Sequence, residues 1–293
     1  MSRAERAGHA PAPPAPAERL QKALARAGLG SRREIEAWIG AGRVTVNGVP
    51  ATLGQRVTPA DRVSVDDRPV AAGTLFAPPT EVIGLHKPTG VMCTRSDPQG
   101  RPTVFELLPE PAGGRWVGIG RLDLMSGGLM LFTTDGELAH RMMHPSYQID
   151  REYAVRVLGE LREDQIARLL AGVELEDGTA RFESVADAGG EGANRWYRVR
   201  IREGRRHEVR RLMQSQGLTV SRLLRVRYGP IELPRSVRSG RWWRLSEAEV
   251  AALRSAVRMN AFETATTRPV RLRSADADRG RDAPRRPRRP RSV

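Results

Sequence analysis

A single cysteine, Cys93, stands in the 293 residues, which excludes an intramolecular disulfide and any cysteine-rich metal site. Long apolar runs are missing too. No stretch approaches the roughly 20 residues of a membrane span, and Met1 to Glu18 lacks the apolar core of a secretion signal. Acidic residues are in deficit: 34 Asp and Glu against 49 Lys and Arg leave a net charge of +15. Such a balance points to a polyanionic partner, and nucleic acid outranks an anionic membrane because no long basic amphipathic helix stands out. Nucleotide fingerprints are absent as well. Gly118-x-Gly120-x-x-Asp123 has no third glycine, and no P-loop lysine follows it. His140 and His144 share a helical spacing, but Arg141-Met142-Met143 between them carries no glutamate and no third ligand is evident, so no metal is expected. Without a helix-turn-helix or zinc module, DNA is a weak candidate partner. A soluble, cytoplasmic, monomeric protein is expected, with no membrane contact.

What is present begins with enough length for two cores and 39% apolar residues to fill them. Residues 1–17, rich in Ala and Pro, read as a flexible leader. Residues 259–293 read as a disordered tail, because Pro284-Arg285-Arg286-Pro287 and its neighbours cannot form a core. That tail holds roughly half of the net charge, as a solubilising appendage or as a phosphate-binding arm.

Residues 18–67 form a first unit. Leu20, Ala23, Leu24 and Ala27 recur at helical spacing, and Gly28 and Gly30 stop that helix. Ser31-Arg32-Arg33-Glu34 has the spacing of a capping box, and Ile35, Trp38 and Ile39 give the second helix its apolar face. Val44-Thr45-Val46 alternates as a strand into the Asn47-Gly48 hairpin turn, with Val57 and Val63-Ser64-Val65 continuing the sheet. Arg19, Lys22, Arg26, Arg32, Arg33 and Arg43 decorate the helix pair with one sign of charge, which favours phosphate contact over an ordinary solvated face.

Residues 68–80, with Ala71-Ala72-Gly73 and Pro78-Pro79, read as a linker, and residues 81–258 as a larger domain. Strands are expected at Val82–Leu85, Val117–Ile119, Leu129–Thr133, Tyr153–Leu158 and Trp196–Ile201, and helices at Glu163–Ala171 and Arg206–Gln216. The fold class is therefore α+β: a small N-terminal domain, then a mixed, largely antiparallel sheet with flanking helices.

The densest turn signal runs Gly118-Ile119-Gly120-Arg121-Leu122-Asp123-Leu124-Met125-Ser126-Gly127-Gly128-Leu129. Taken alone, Asp123 suits a turn or cap at least as well as catalysis, Tyr153 suits a strand core with Val155 and Val157, and Arg210 is one guanidinium beside Arg205, Arg206 and Arg211.

Together these segments resemble known families. The Gly-Leu-Gly-Ser-Arg-Arg corner and the Arg-Val-x-Val-Asn-Gly hairpin resemble the S-four RNA-binding domain, named after a ribosomal small-subunit protein. Gly120-Arg121-Leu122-Asp123-x-x-Ser126-x-Gly128-Leu129 resembles the catalytic motif of the RsuA-type pseudouridine synthases. Lys87-Pro88-x-Gly90, Thr133 to Leu138, His144-Pro145-Ser146, Arg151 to Val155, Glu203 to Arg211 and Ser221 to Gly229 extend the likeness over nearly all of residues 18–255. Cys93 to Val104 and Trp196-Tyr197 are most similar to the RluB group, which modifies large-subunit ribosomal RNA.

The resemblance implies isomerisation of one uridine in ribosomal RNA without a cofactor. It implies Asp123 as the catalytic carboxylate, either nucleophile at C1′ or base toward the sugar. Tyr153 would stack on the extruded base and help remove its C5 proton, and Arg210 would be the cation that keeps Asp123 ionised. Arg121, Arg205 and Arg206 would join the small domain's cations on RNA. Arg151 stands where the family commonly has lysine, and Leu223 or Leu224 would pack near the site. A small-subunit RNA substrate, or a non-catalytic ribosome-assembly factor, are the alternatives.

Overall fold

The computed structural model describes residues 17–76 and 80–259. The Ala/Pro-rich leader, all but its last residue, and the Arg/Pro-rich tail beyond Met259 lie outside the described residues.

The small domain begins with helix Leu20–Arg26, which buries Leu20, Ala23 and Leu24 and ends before Gly28 at φ 86°. The expected capping box starts helix Arg32–Gly40: Ser31 Oγ accepts from the Glu34 amide at 3.2 Å, and the Glu34 carboxylate accepts from the Ser31 amide at 2.6 Å. Ile35 and Ile39 are buried, whereas Trp38 is half-buried, with the Arg43 guanidinium 5.1 Å from its ring centre. Asn47 and Gly48 take the positive φ of a tight hairpin, at 56° and 83°.

The stretch expected to be a linker is in part folded. Strand Arg68–Val70 pairs with Val63–Val65, and helix Ala72–Phe76 buries Leu75 in the same core as Leu20 and Ile35. Asp66 and Asp67, at φ 48° and 61°, make the turn that returns the chain. Two aspartates in the left-handed region are a weaker turn signal than Asn-Gly, so the packing of this domain continues past Asp67 to Phe76.

The large domain is built on a nine-stranded sheet. Its main path runs Ser184–Glu191, Asn194–Ile201, Arg151–Leu158, Thr219–Tyr228, Gly127–Thr133, Val82–Lys87 and Trp242–Arg244, with Ile231–Glu232 and Val117–Ile119 paired at its flanks. Every pairing is antiparallel except one. Thr219–Tyr228 meets Gly127–Thr133 in parallel, through Leu224 opposite Gly127 and Arg225 opposite Gly128. This short seam joins the two antiparallel halves. It requires glycine: Gly128 sits at φ 98°, and a Cβ there would collide with the Arg225 backbone.

Helices Glu163–Ala171 and Glu208–Ser215 cover the half with Val155, Val199 and Leu212, while Gly136–Met143 and Glu247–Ala256 cover the other with Leu131, Leu138 and Leu253. Helix Glu208–Ser215 starts two residues later than expected because His207 adopts φ 53°. The small domain docks on this body through a Lys22–Glu137 ion pair of 3.5 Å and a close backbone approach at Gly28 and Gly114.

Candidate active site

The loop that carries Asp123 leaves strand Val117–Ile119 and enters strand Gly127–Thr133 directly at the parallel seam. Its backbone is held from below. The Lys87 ammonium, fully buried, donates to the carbonyls of Pro88 (3.0 Å), Asp123 (3.2 Å), Leu124 (3.5 Å) and Ser126 (2.8 Å). Burial holds the Lys87 ammonium below its ordinary pKa. Cys93 adds a side clasp: its thiol donates to the Leu122 carbonyl at 3.1 Å and accepts from the Leu122 amide at 3.4 Å. The Asp123 side chain stands 40% exposed above this frame, with Oδ1 3.4 Å from His207 Nε2.

Arg210 is placed differently from the expectation. Its guanidinium donates to the Met125 carbonyl at 3.1 Å and to the Val220 carbonyl at 3.0 Å, so it grips the Asp123 loop by its backbone and forms no ion pair with Asp123. The reason is local: it lies within helix Glu208–Ser215, and the group that reaches the carboxylate is His207, turned outward by its left-handed backbone. His207 carries no signal in spacing or periodicity that marks it for this contact.

Tyr153 belongs at once to the core and to the site. It packs with Val155 and Val157 on one face of strand Arg151–Leu158, yet it lines the same cleft as Asp123. A β-bulge between Glu152 and Tyr153 shifts the register against Thr219–Tyr228 at this point and sets where the ring is aimed. The cleft is open, with a volume of about 850 Å³, and Arg121, Arg205, Arg206, Glu208, Leu223 and Arg225 are also on its wall. Leu223 thus faces the site, whereas Leu224 packs toward Gly127. Glu208 is buried, which pushes its carboxyl above the ordinary range, and it accepts from the Arg205 amide at 3.0 Å.

Comparison with known proteins identifies this architecture. The sequence profile of RNA pseudouridylate synthases matches residues 81–215, and that of the S4 domain matches residues 18–63. A crystal structure of a pseudouridylate synthase superposes over 80% of this chain and 99% of its own, with a TM-score of 0.56 and 25% identity. A ribosomal large subunit pseudouridine synthase B of Salmonella typhi is 52% identical over 83% of this chain and 84% of that protein. The chain belongs to the RNA pseudouridylate synthase family. The protein of the same name from Pseudomonas aeruginosa is 54% identical, over 80% of this chain, and the match spans 61% of that relative's own length.

Within the chain the cations expected on RNA divide into two groups. Arg19, Arg32, Arg33, Arg121 and Arg206 are exposed. The others are engaged by the protein. Lys22 pairs with Glu137, Arg43 is bidentate on Asp66, and Arg26 binds Glu18 and the Leu75 carbonyl. Arg205 donates to the carbonyls of Asp177 (3.1 Å), Gly178 (2.9 Å) and Thr179 (2.7 Å) and to Glu203 (2.7 Å). The donor fork of Arg26 is occupied by the Leu75 carbonyl and the Glu18 carboxylate, and that of Arg205 by three backbone carbonyls and Glu203.

Arg151, noted only for replacing lysine, is a clamp. Only 9% exposed, it donates to the carbonyls of Ile149 (3.1 Å), Arg202 (2.9 Å) and Glu203 (3.1 Å), so it fixes the loop that leads to Arg206 and His207. Of the two histidines, His144 caps a turn. His144 Nδ1 accepts from the Ser146 amide as the cap of the turn Pro145–Tyr147. Among the described residues no three His, Cys, Asp or Glu side chains gather as a metal site, and no helix is long and apolar enough to cross a membrane.

Proposed function

We propose that this protein converts a uridine of large-subunit ribosomal RNA to pseudouridine, with Asp123 as the carboxylate that acts on the sugar–base bond. The observation that carries this reading is Asp123 itself, presented on a loop pinned by Lys87 and Arg210 at the mouth of a cleft walled by Tyr153. The relatives named as large-subunit synthases support the choice of RNA. In a duplex or a stacked loop the C1′–N1 bond is out of reach, so the nucleotide must be extruded into the cleft, with Tyr153 as its platform. Arg121 and Arg206 on the rim and Arg32 and Arg33 on the small domain supply the positive surface that draws in phosphate. Arg210 is a positioning residue here: it holds the backbone two residues beyond Asp123. The isomerisation exchanges an N1–C1′ bond for a C5–C1′ bond with no net redox change, and the reading includes no cofactor.

Large- and small-subunit RNA transcripts with tritium at uridine C5 test this reading. Release is expected from the large-subunit RNA with the wild-type protein and is expected to vanish in Asp123→Asn, while RNA affinity stays within about threefold. Release from small-subunit RNA alone would keep the reaction and overturn the substrate. No release from either RNA, or from partly assembled large subunits, would overturn the enzymatic reading.

A further inference from the structure

Three cations are buried under the cleft: Lys87, Arg151 and Arg225, at 0%, 9% and 2% exposure. None of them forms an ion pair among the described residues. Uncompensated buried charge is costly, and proteins normally place a carboxylate beside it. The one buried carboxyl on the cleft wall, Glu208, is itself pushed toward its neutral form and is bound to the Arg205 amide.

Lys87 is held by backbone carbonyls, and Arg151 by three carbonyls and the Tyr228 hydroxyl, but Arg225 is not satisfied in this way. Its Nε donates to the Leu129 carbonyl at 2.8 Å across the parallel seam. Its Nη2 is buried and has no hydrogen-bond partner. Arg225 lines the cleft, and its Nη1 lies 3.9 Å from where a Cβ on Gly120 would be, beside the Tyr228 ring at 3.7 Å from the same point. The guanidinium cannot swing away, because it is stacked on Tyr228 at 4.9 Å from the ring centre, with Arg151 at 5.0 Å from the same ring. Tyr228 is held in turn by Arg151 Nη2 at 3.2 Å and by its own donation to the Met142 carbonyl at 3.0 Å. A second orphaned polar atom, Ser126 Oγ, belongs to the same cleft wall.

We infer that Arg225 is a catalytic residue of the isomerisation, whose guanidinium stabilises the uracil anion released when the glycosidic bond breaks. The inference rests on the reading of this cleft as a pseudouridine synthase site. When C1′–N1 cleaves, both bonding electrons leave with the base, whether Asp123 takes the C1′ carbon or a sugar proton. Uracil then carries one negative charge, shared by N1, O2 and O4, until its C5 bonds C1′, the C5 proton leaves and N1 regains a proton. A fixed guanidinium with a free N–H, in a site with surplus positive charge, favours that anion over neutral uridine. It needs no reorganisation at the moment of cleavage. Lys87 and Arg151 strengthen the same field from behind.

Single-turnover kinetics on the large-subunit RNA test the assignment with Arg225→Met and Arg225→Lys. The target nucleotide is either uridine or 5-fluorouridine, whose fluorine makes the departing base a better anion. Arg225→Met is expected to slow the uridine reaction on the order of 100-fold, with RNA affinity within threefold of wild type and Arg225→Lys intermediate. The defect is expected to shrink at least tenfold on 5-fluorouridine. Equal slowing on both substrates would overturn the inference, since a merely structural defect does not depend on leaving-group acidity. Weakened RNA binding with an unchanged rate would assign Arg225 to a phosphate instead. If Arg225→Met does not fold, the ratio of the two substrates in Arg225→Lys decides alone. Wild-type turnover in the same assay separates failure of this inference from failure of the functional reading.

Discussion

Arg32 and Arg33 of the small domain look, in the sequence, like Arg151, Arg205 and Arg210 at and beside the cleft, yet the two sets are used in opposite ways. On helix Arg32–Gly40, Arg32 and Arg33 project into solvent. At the cleft, Arg151 turns Nη1 to three backbone carbonyls and Arg205 turns Nη1 and Nη2 to three others, while Arg210 beside it donates to two. A guanidinium in water is a mobile point of attraction for phosphate. Surrounded by carbonyls, the same group becomes a bracket that fixes loops, and its charge stays behind as a standing field. The first kind serves affinity and the second serves geometry, so the two regions should separate cleanly under mutation.

Arg151→Met should have the largest effect. It leaves the Ile149, Arg202 and Glu203 carbonyls without their donor, at a cost of about 3 kcal/mol in urea unfolding. With the His207 loop released, turnover should fall roughly 100-fold. Unchanged stability and rate would mean that the bracket is dispensable. Adjacent arginines give a sharper contrast. Arg205→Gln should lower stability by about 2 kcal/mol and leave RNA affinity nearly intact, whereas Arg206→Gln should do the reverse, a few-fold loss of affinity with no change in melting. If both behave alike, the division between bracket and attractor is wrong.

Reversing charge at both Arg32→Glu and Arg33→Glu should weaken RNA binding about tenfold at low salt and flatten its salt dependence, with stability within about 0.5 kcal/mol of wild type. Binding that stays equal at all salt concentrations would remove the small domain from the interface. The smallest effect concerns acid. Arg101 donates to Asp97 from both its side chain and its backbone amide, which holds that carboxyl at about 2 rather than its ordinary 3.8. A lowered carboxyl stabilises the fold above the unfolded-state value and loses that contribution as pH falls toward 2. Urea midpoints measured between about pH 5 and pH 2 should therefore drop slightly less steeply in Arg101→Gln than in wild type.

Much of the frame was legible in the residues. Helix Glu163–Ala171 and strand Val117–Ile119 appear with the expected bounds, because their apolar periodicity and flanking turns are unambiguous. Strand Thr219–Tyr228 was visible only through its family resemblance. Its three arginines, Arg222, Arg225 and Arg227, mask the alternation of a strand, and nothing in a one-dimensional string tells that Arg225 is buried against a carbonyl. Strand Ser184–Glu191, with Gly189 and Gly190, has one β-branched residue, Val185, and so carries little of the composition that marks a strand. The capping box Ser246-x-x-Glu249 is a readable start for helix Glu247–Ala256. At the site, the family resemblance singled out Asp123, Tyr153 and Arg210. The contacts of Arg210, His207 and Arg151 depend on which carbonyls the fold brings near, and that information lies in pairings far apart in the chain.

The parallel seam carries a temporal consequence. Asp123 reaches its place only when Gly127 and Gly128 lie against Leu224 and Arg225, about a hundred residues later in the chain. Contacts between such distant segments form late, and synthesis proceeds from the N-terminus. The small domain, complete by Phe76, emerges and folds long before the strand that closes the seam has been made. A nascent chain can therefore carry the complete small domain while it still lacks the strand that seats the Asp123 loop, so that loop takes its place only as translation of the large domain finishes.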